Sequence, residues 1–126
     1  MSPHCPAALM KEHWNINQFT LRKVLYVGNI SRVLQAVDIQ SSTAVALKVY
    51  KRANLSDMEK YQVAREIRMH SELHHKNIIS LYCAWKDSHY VYMAVEWAPA
   101  GDLFKMLSSG PVLDEVAIVQ KVWLRQ

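Results

Sequence analysis

Lys48 and Glu66 are the two side chains whose types and spacing could do chemistry together. Val45-Ala46-Leu47-Lys48 ends an apolar run on a lysine, and Glu66 follows 18 residues later inside Ala64-Arg65-Glu66-Ile67-Arg68. A strand lysine and a carboxylate on the inner face of a helix can form the ion pair that holds an ammonium against nucleotide phosphates. Taken singly, Lys48 also reads as a surface lysine ending a strand, and Glu66 as a solvated helix residue. Their surroundings decide between these readings.

Ser56-Asp57-Met58-Glu59 fits a capping box, in which the serine hydroxyl and the glutamate three residues on satisfy the free N–H groups at a helix start. The spacing predicts a helix over 57–74. At about 100° per residue, Val63, Met69, His70 and Leu73 fall within roughly 60° of Glu66, while Tyr61, Arg68 and Ser71 face the other way. A carboxylate in the middle of an apolar face is costly unless a cation meets it, so the helix itself calls for Lys48.

The elements that must place this pair are strands. Residues 19–27 and 33–39 read as a hairpin turning at Gly28 and Asn29, and the polar residues 40–43 lead into a strongly apolar third strand over 44–50. Residues 78–84 and 90–95 read as strands four and five, joined by a polar turn over 85–89. The expected fold is therefore α+β, a five-stranded antiparallel sheet with one helix. Residues 1–17 hold Pro3 and Pro6 and no sustained period, which predicts a flexible leader. Pro99, Ala100 and Gly101 break the pattern, a short helix is expected over 102–108, and a last one over 114–125 carries an apolar stripe of Val116, Val119, Val122 and Trp123.

Composition excludes several classes. A chain of 126 residues with 51% hydrophobic and 21% charged residues has the make-up of a core-forming domain rather than a disordered segment. The net charge of +4 comes from scattered lysines and arginines with no basic tract, so no nucleic-acid partner is expected. No apolar run approaches the ~20 residues of a membrane span, and residues 1–10 lack a secretory signal, so the expected location is intracellular, cytoplasmic or nuclear. Cys5 and Cys83 make neither a disulfide framework nor a zinc pattern. His70 and His74 have a zinc-compatible spacing, but Ser71 stands where H-E-x-x-H has its glutamate and no third ligand is suggested, so no metal site is expected.

Val45-Ala46-Leu47-Lys48, Glu66, His75-Lys76-Asn77-Ile78-Ile79 and Glu96-Trp97-Ala98-Pro99-Ala100-Gly101, in that order, resemble a eukaryotic protein kinase of the Ser/Thr type, in the Aurora and Polo-like groups. The resemblance covers about 19–124. It implies a kinase N-lobe with a regulatory helix over 18–95, a hinge over 96–101 and the start of a truncated C-lobe over 102–126. It further implies that Lys48 binds the α- and β-phosphates of ATP while Glu66 holds it in position. Val95 would be the gatekeeper at the back of the adenine pocket. The main chain at Glu96 and Ala98 would meet the adenine edge, and Leu25, Val33 and Ala46 would cover the ring. Asp102 matches the ribose edge, although an N-terminal cap of the short helix is an equal reading.

The glycine-rich loop departs from the family pattern. With Val33 on the consensus valine of G-x-G-x-x-G-x-V, Tyr26, Gly28 and Ser31 stand where three glycines are expected, and only Gly28 keeps one. Side chains at Tyr26 and Ser31 would hinder the close approach of phosphate to the backbone. No His-Arg-Asp catalytic loop and no Asp-Phe-Gly metal site occur in the chain, so the ligands of the Mg²⁺ that accompanies ATP are not expected here. The resemblance thus implies the ATP-binding part of an enzyme that transfers the γ-phosphate to protein hydroxyls, inactive as this span alone. Two alternatives stand beside it. One is a truncated interaction module that binds a regulatory protein through the 57–74 helix face around Tyr61 and Arg68. The other is a pseudokinase, suggested by Tyr26 and Ser31.

Overall fold

The structure is a computed structural model that describes residues 5–73 and 79–97. Its strands are β1 (Phe19–Val27), β2 (Ser31–Asp38), β3 (Ala44–Lys51), β4 (Leu81–Lys86) and β5 (Tyr90–Glu96), with one helix, α1 (Asp57–Glu72), between β3 and β4. The strands form one sheet in the order β1-β2-β3-β5-β4, every neighbouring pair antiparallel. This is the five-stranded sheet with one helix that the sequence predicts.

β3 lies at the centre of the sheet and is buried on both faces, which explains why its sequence is apolar almost throughout. Successive side chains alternate across a strand, so Ala46, Lys48 and Tyr50 point to one side and Val45, Leu47 and Val49 to the other. On the first side, Val33, Ala46, Tyr50, Met93 and Val95 pack with Leu55, Val63, Ile79 and Leu81, under α1. On the second, Phe19, Ala36, Val45, Leu47, Tyr82 and Ala94 pack with Cys5 and Leu9.

That second cluster includes residues of the segment expected to be a flexible leader. Residues 5–18 lie on the sheet with Leu9 fully buried, which is worth about 1.5–3 kcal/mol for such a side chain. Two short 3-10 turns, Ala7–Leu9 and Ile16–Gln18, carry the segment, and the second is closed by a capping box between Asn15 and Gln18. Lys11 reaches Asp38 at 2.6 Å and lies 5.9 Å from the ring centroids of both Trp14 and Phe19. Turns of three residues leave no helical or strand period, so this order had no periodic signal in the sequence.

β3 and β5 each run one residue further than expected, and the larger differences are in β2 and β4. β2 begins at Ser31 instead of residue 33, because the Gly28 N–H donates to the Ser31 carbonyl at 2.7 Å and closes the hairpin early. β4 begins at Leu81 and extends through Trp85 and Lys86, which the sequence places in the turn. Trp85 pairs with Tyr92 across the ladder and stacks on it with centroids 5.0 Å apart, and this aromatic pair extends the strands. The turn contracts to Asp87, Ser88 and His89, where the Asp87 carboxylate accepts from the N–H groups of His89 and Tyr90. α1 ends at Glu72, with residue 74 and the start expected for β4 at residue 78 outside the described residues.

Candidate functional site

The site starts at the helix cap. The Ser56 hydroxyl accepts from the Glu59 N–H at 3.1 Å and the Glu59 carboxylate accepts from the Ser56 N–H at 2.9 Å, which fixes where α1 begins. With that start fixed, the helical period turns Val63, Glu66 and His70 inward, and they are the three buried residues of the helix. Tyr61, Arg68 and Ser71 are exposed, while Met69 and Leu73 are half-buried. The central strand supplies the partner. Lys48 sits between Val33 of β2 and Met93 of β5, and Ala46 pairs with Gln35 and Val95.

Lys48 Nζ lies 3.2 Å from Glu66 Oε1. Lys48 is fully buried and Glu66 is 4% exposed, so each charge has lost its water and depends on the other. A third side chain joins them. The Tyr50 hydroxyl donates to Glu66 Oε2 at 3.1 Å, and the tyrosine ring centroid is 5.4 Å from Lys48 Nζ. Burial first, and then the Glu66 charge and its hydrogen bond, push the Tyr50 hydroxyl well above its ordinary value of 10.0, so it stays a donor. Sequence reasoning missed Tyr50. The signal was present, since a residue two positions from Lys48 on a strand shares its face.

His70 completes the inner face. Its Nε2–H donates to the Ile79 carbonyl at 2.6 Å, and burial, opposed by that hydrogen bond and helped by the Lys48 charge, lowers its pKa to about 4. His70 is therefore a neutral core histidine. Among the described residues no group of three or more His, Cys, Asp or Glu side chains is placed to hold a metal ion.

Most of the other sequence-predicted site residues gather on the same side of the sheet. Val33, Ala46 and Val95 are fully buried there, and Leu25 is half-buried against them. Glu96 ends β5, with its N–H donating to the Ser80 carbonyl at 2.9 Å and its carboxylate accepting from the Ser80 N–H at 3.1 Å. These two hydrogen bonds to Ser80 anchor the strand end from which the chain leaves the sheet. Ala98 and Asp102 lie outside the described residues.

The loop at Gly28 is crowded. A Cβ added there would stand 3.1 Å from Tyr26 Cε1 and 3.3 Å from its hydroxyl, and Tyr26 packs on the same cluster as Leu25 and Val33. Ser31 is buried, and its carbonyl already holds the Gly28 N–H. A separate cavity of about 270 Å³ lies away from Lys48, between α1 and the β4–β5 hairpin, lined by Leu55, Val63, Ile67 and Val91 with Arg52, Lys60 and Lys86 around it.

The protein kinase domain family matches residues 19–124. Aurora kinase C of Mus musculus is 33% identical over 114 residues, covering 87% of this chain and 40% of the relative. Serine/threonine-protein kinase Aurora-1 of Arabidopsis thaliana is 34% identical over 102 residues, covering 80% and 35%. The Aurora kinase of Encephalitozoon cuniculi is 33% identical over 100 residues, covering 79% and 37%. The chain spans less than half the length of these relatives. Matched over most of its own length, and folded as a five-stranded antiparallel sheet with one helix that meets the central strand through Lys48 and Glu66, the chain belongs to the protein kinase family and resembles its Aurora members.

Proposed function

We propose that this chain is the ATP-binding lobe of a serine/threonine protein kinase. The observation that carries this reading is the Lys48–Glu66 pair, assembled at 3.2 Å in a buried site beside the apolar cluster that contains Val33, Ala46 and Val95. The donor set suits the nucleotide. A triphosphate needs a cation near its oxygens and adenine needs a dry apolar slot, and β3 supplies Lys48 for the first and Ala46 for the second on one face. Glu66 neutralises Lys48, which keeps the ammonium stable in a buried place and fixes its direction. Leu25 and Gly28 would border the nucleotide from the β1–β2 hairpin, with the main chain at Glu96 and Ala98 reading the adenine edge and Asp102 near the ribose.

ATP supplies the electrophilic γ-phosphorus, with Mg²⁺ as its companion ion. The protein would transfer that group to hydroxyls of protein substrates, inside the cell. Residues 1–126 carry neither a His-Arg-Asp nor an Asp-Phe-Gly sequence, so this span by itself would bind nucleotide without transferring phosphate. The test is calorimetric titration with MgATP, comparing the unaltered chain with Lys48→Met. Binding that weakens at least tenfold in the variant supports the reading; no binding, or equal binding by both, overturns it.

A second reading, a protein-interaction module acting through α1, is favoured by Met58 and Tyr61, which stand 65% and 61% exposed on the helix surface. It separates from the first by experiment: a module would engage its protein partner equally well after Lys48→Met and lose it after Tyr61→Ala.

A further inference from the structure

We propose that Tyr50 is a positioning residue that latches Glu66, and through it helix α1, in the place where Glu66 pairs with Lys48. The nucleotide role of the pair rests on the reading above; the latch itself is a property of three side chains. Lys48 and Tyr50 are two residues apart on β3 and both project toward α1, and each donates to a different oxygen of the same carboxylate, at 3.2 and 3.1 Å.

One ion pair sets a distance but leaves the carboxylate free to turn about it. A second donor on the other oxygen fixes its plane, and a tyrosine does this with only two side-chain torsions. The hydroxyl adds no charge, so the buried site keeps one cation and one anion.

Moving α1 outward would take Glu66 away from both Lys48 and Tyr50, all three of which are buried. Leaving a buried polar group without its partner is penalised more than making the bond is rewarded, so the latch closes more firmly than an ion pair alone. Tyr50 thereby biases the helix inward before any partner or nucleotide binds.

The test follows the acetylation of Lys48 by an N-hydroxysuccinimide ester, read by mass spectrometry on the full-length protein. Lys11, whose largely buried side chain pairs with Asp38 and ties the N-terminal segment to the sheet, is the internal reference. Tyr50→Phe keeps the ring and removes the hydroxyl. Tyr92→Phe is the control, because it removes the tyrosine hydroxyl bonded to Asp87 at 2.7 Å and leaves the latch untouched. The expected result is a Lys48 to Lys11 labelling ratio about tenfold higher in Tyr50→Phe, the factor expected for loss of one hydrogen bond to a charged group, and unchanged in Tyr92→Phe. An unchanged ratio in Tyr50→Phe, or an equal rise in both variants, overturns the latch.

Should Tyr50→Phe not fold, Glu66→Gln gives the reciprocal measurement. The ¹³Cζ resonance of Tyr50 must then move relative to the other tyrosines, and a stationary resonance overturns the proposal. MgATP added to the unaltered protein keeps the two readings apart. Failure to protect Lys48 from acetylation would count against the nucleotide site, while the contrast between the two tyrosine variants would still decide the latch.

Discussion

His70 on α1 donates through Nε2–H to the main-chain oxygen of Ile79 at 2.6 Å, tying the last turn of the helix to the segment that enters β4. Glu66 lies one helical turn before this bond, so His70 holds the C-terminal side of the helix while Tyr50 and Lys48 hold its middle. A neutral imidazole is required, since the ring is buried and the nearby Lys48 charge opposes a proton.

This arrangement makes stability fall in mild acid. The folded chain keeps His70 neutral down to about pH 4, whereas the unfolded chain takes up the proton near the ordinary value of 6.5. Below 6.5 the unfolded state binds more protons, so stability drops by about 1.4 kcal/mol per pH unit through that window and is flat with respect to His70 above it. Urea unfolding at pH 7.5, 6.0 and 5.0 measures the slope. His70→Gln, whose amide can still donate to Ile79, should remove most of it; identical slopes would assign the acid sensitivity to other groups.

The Lys48–Glu66 pair predicts a strong asymmetry between single and double substitutions. Lys48→Met leaves a buried carboxylate with Tyr50 as its remaining described partner and should lower unfolding stability by about 3 kcal/mol. Lys48→Met/Glu66→Gln removes both charges and should recover most of the loss, because Tyr50 can still donate to the amide oxygen. Chemical denaturation of the unaltered chain, both single variants and the double variant gives the coupling energy. A coupling below about 0.5 kcal/mol would mean that the pair behaves as a solvated surface bridge.

How much was legible in the sequence follows from which features repeat along the chain. β1 was readable to its ends, and α1 to within two residues, because a strand period and a capping box mark them. The Lys48–Glu66 contact was readable because a charge in an apolar helix face needs a partner. Trp85 was misread because residues flanking a polar turn can lengthen the strands when their rings stack, a contact that only the ladder register reveals. Tyr50 was passed over because a tyrosine ending an apolar strand looks like core, and its hydroxyl acquires meaning only once Glu66 is seen beside it.

The N-terminal segment was the least legible part, and it yields a prediction of its own. Leu9 is fully buried against the outer face of the sheet, and Lys11 is held by Asp38. Burial alone would raise the Asp38 carboxyl, but the hydrogen bonds from Lys11 and Ser41 outweigh it and hold it below its ordinary value. Leu9→Ala should destabilise the chain by about 3 kcal/mol, the usual loss for a truncated core leucine. Guanidinium unfolding checks it, and a change under about 0.5 kcal/mol would show the segment to be loosely held in solution.

The loop between β1 and β2 departs from the glycine-rich pattern at Tyr26 and Ser31. Tyr26 stands where the first glycine is expected, its ring lies against Gly28, and it packs on the cluster that contains Val33 and Ala46. A ring on that side of the hairpin narrows the approach of a phosphate to the backbone at Gly28. Replacing it should open the approach while weakening the hairpin, since a glycine in a strand is less favourable by about 0.5–1 kcal/mol than alanine. Tyr26→Gly is therefore expected to lower the melting temperature of the free protein and to tighten MgATP binding severalfold, two effects of opposite sign in one variant. Calorimetry beside a thermal melt separates them. Weaker binding in Tyr26→Gly would show instead that the tyrosine ring supports the nucleotide.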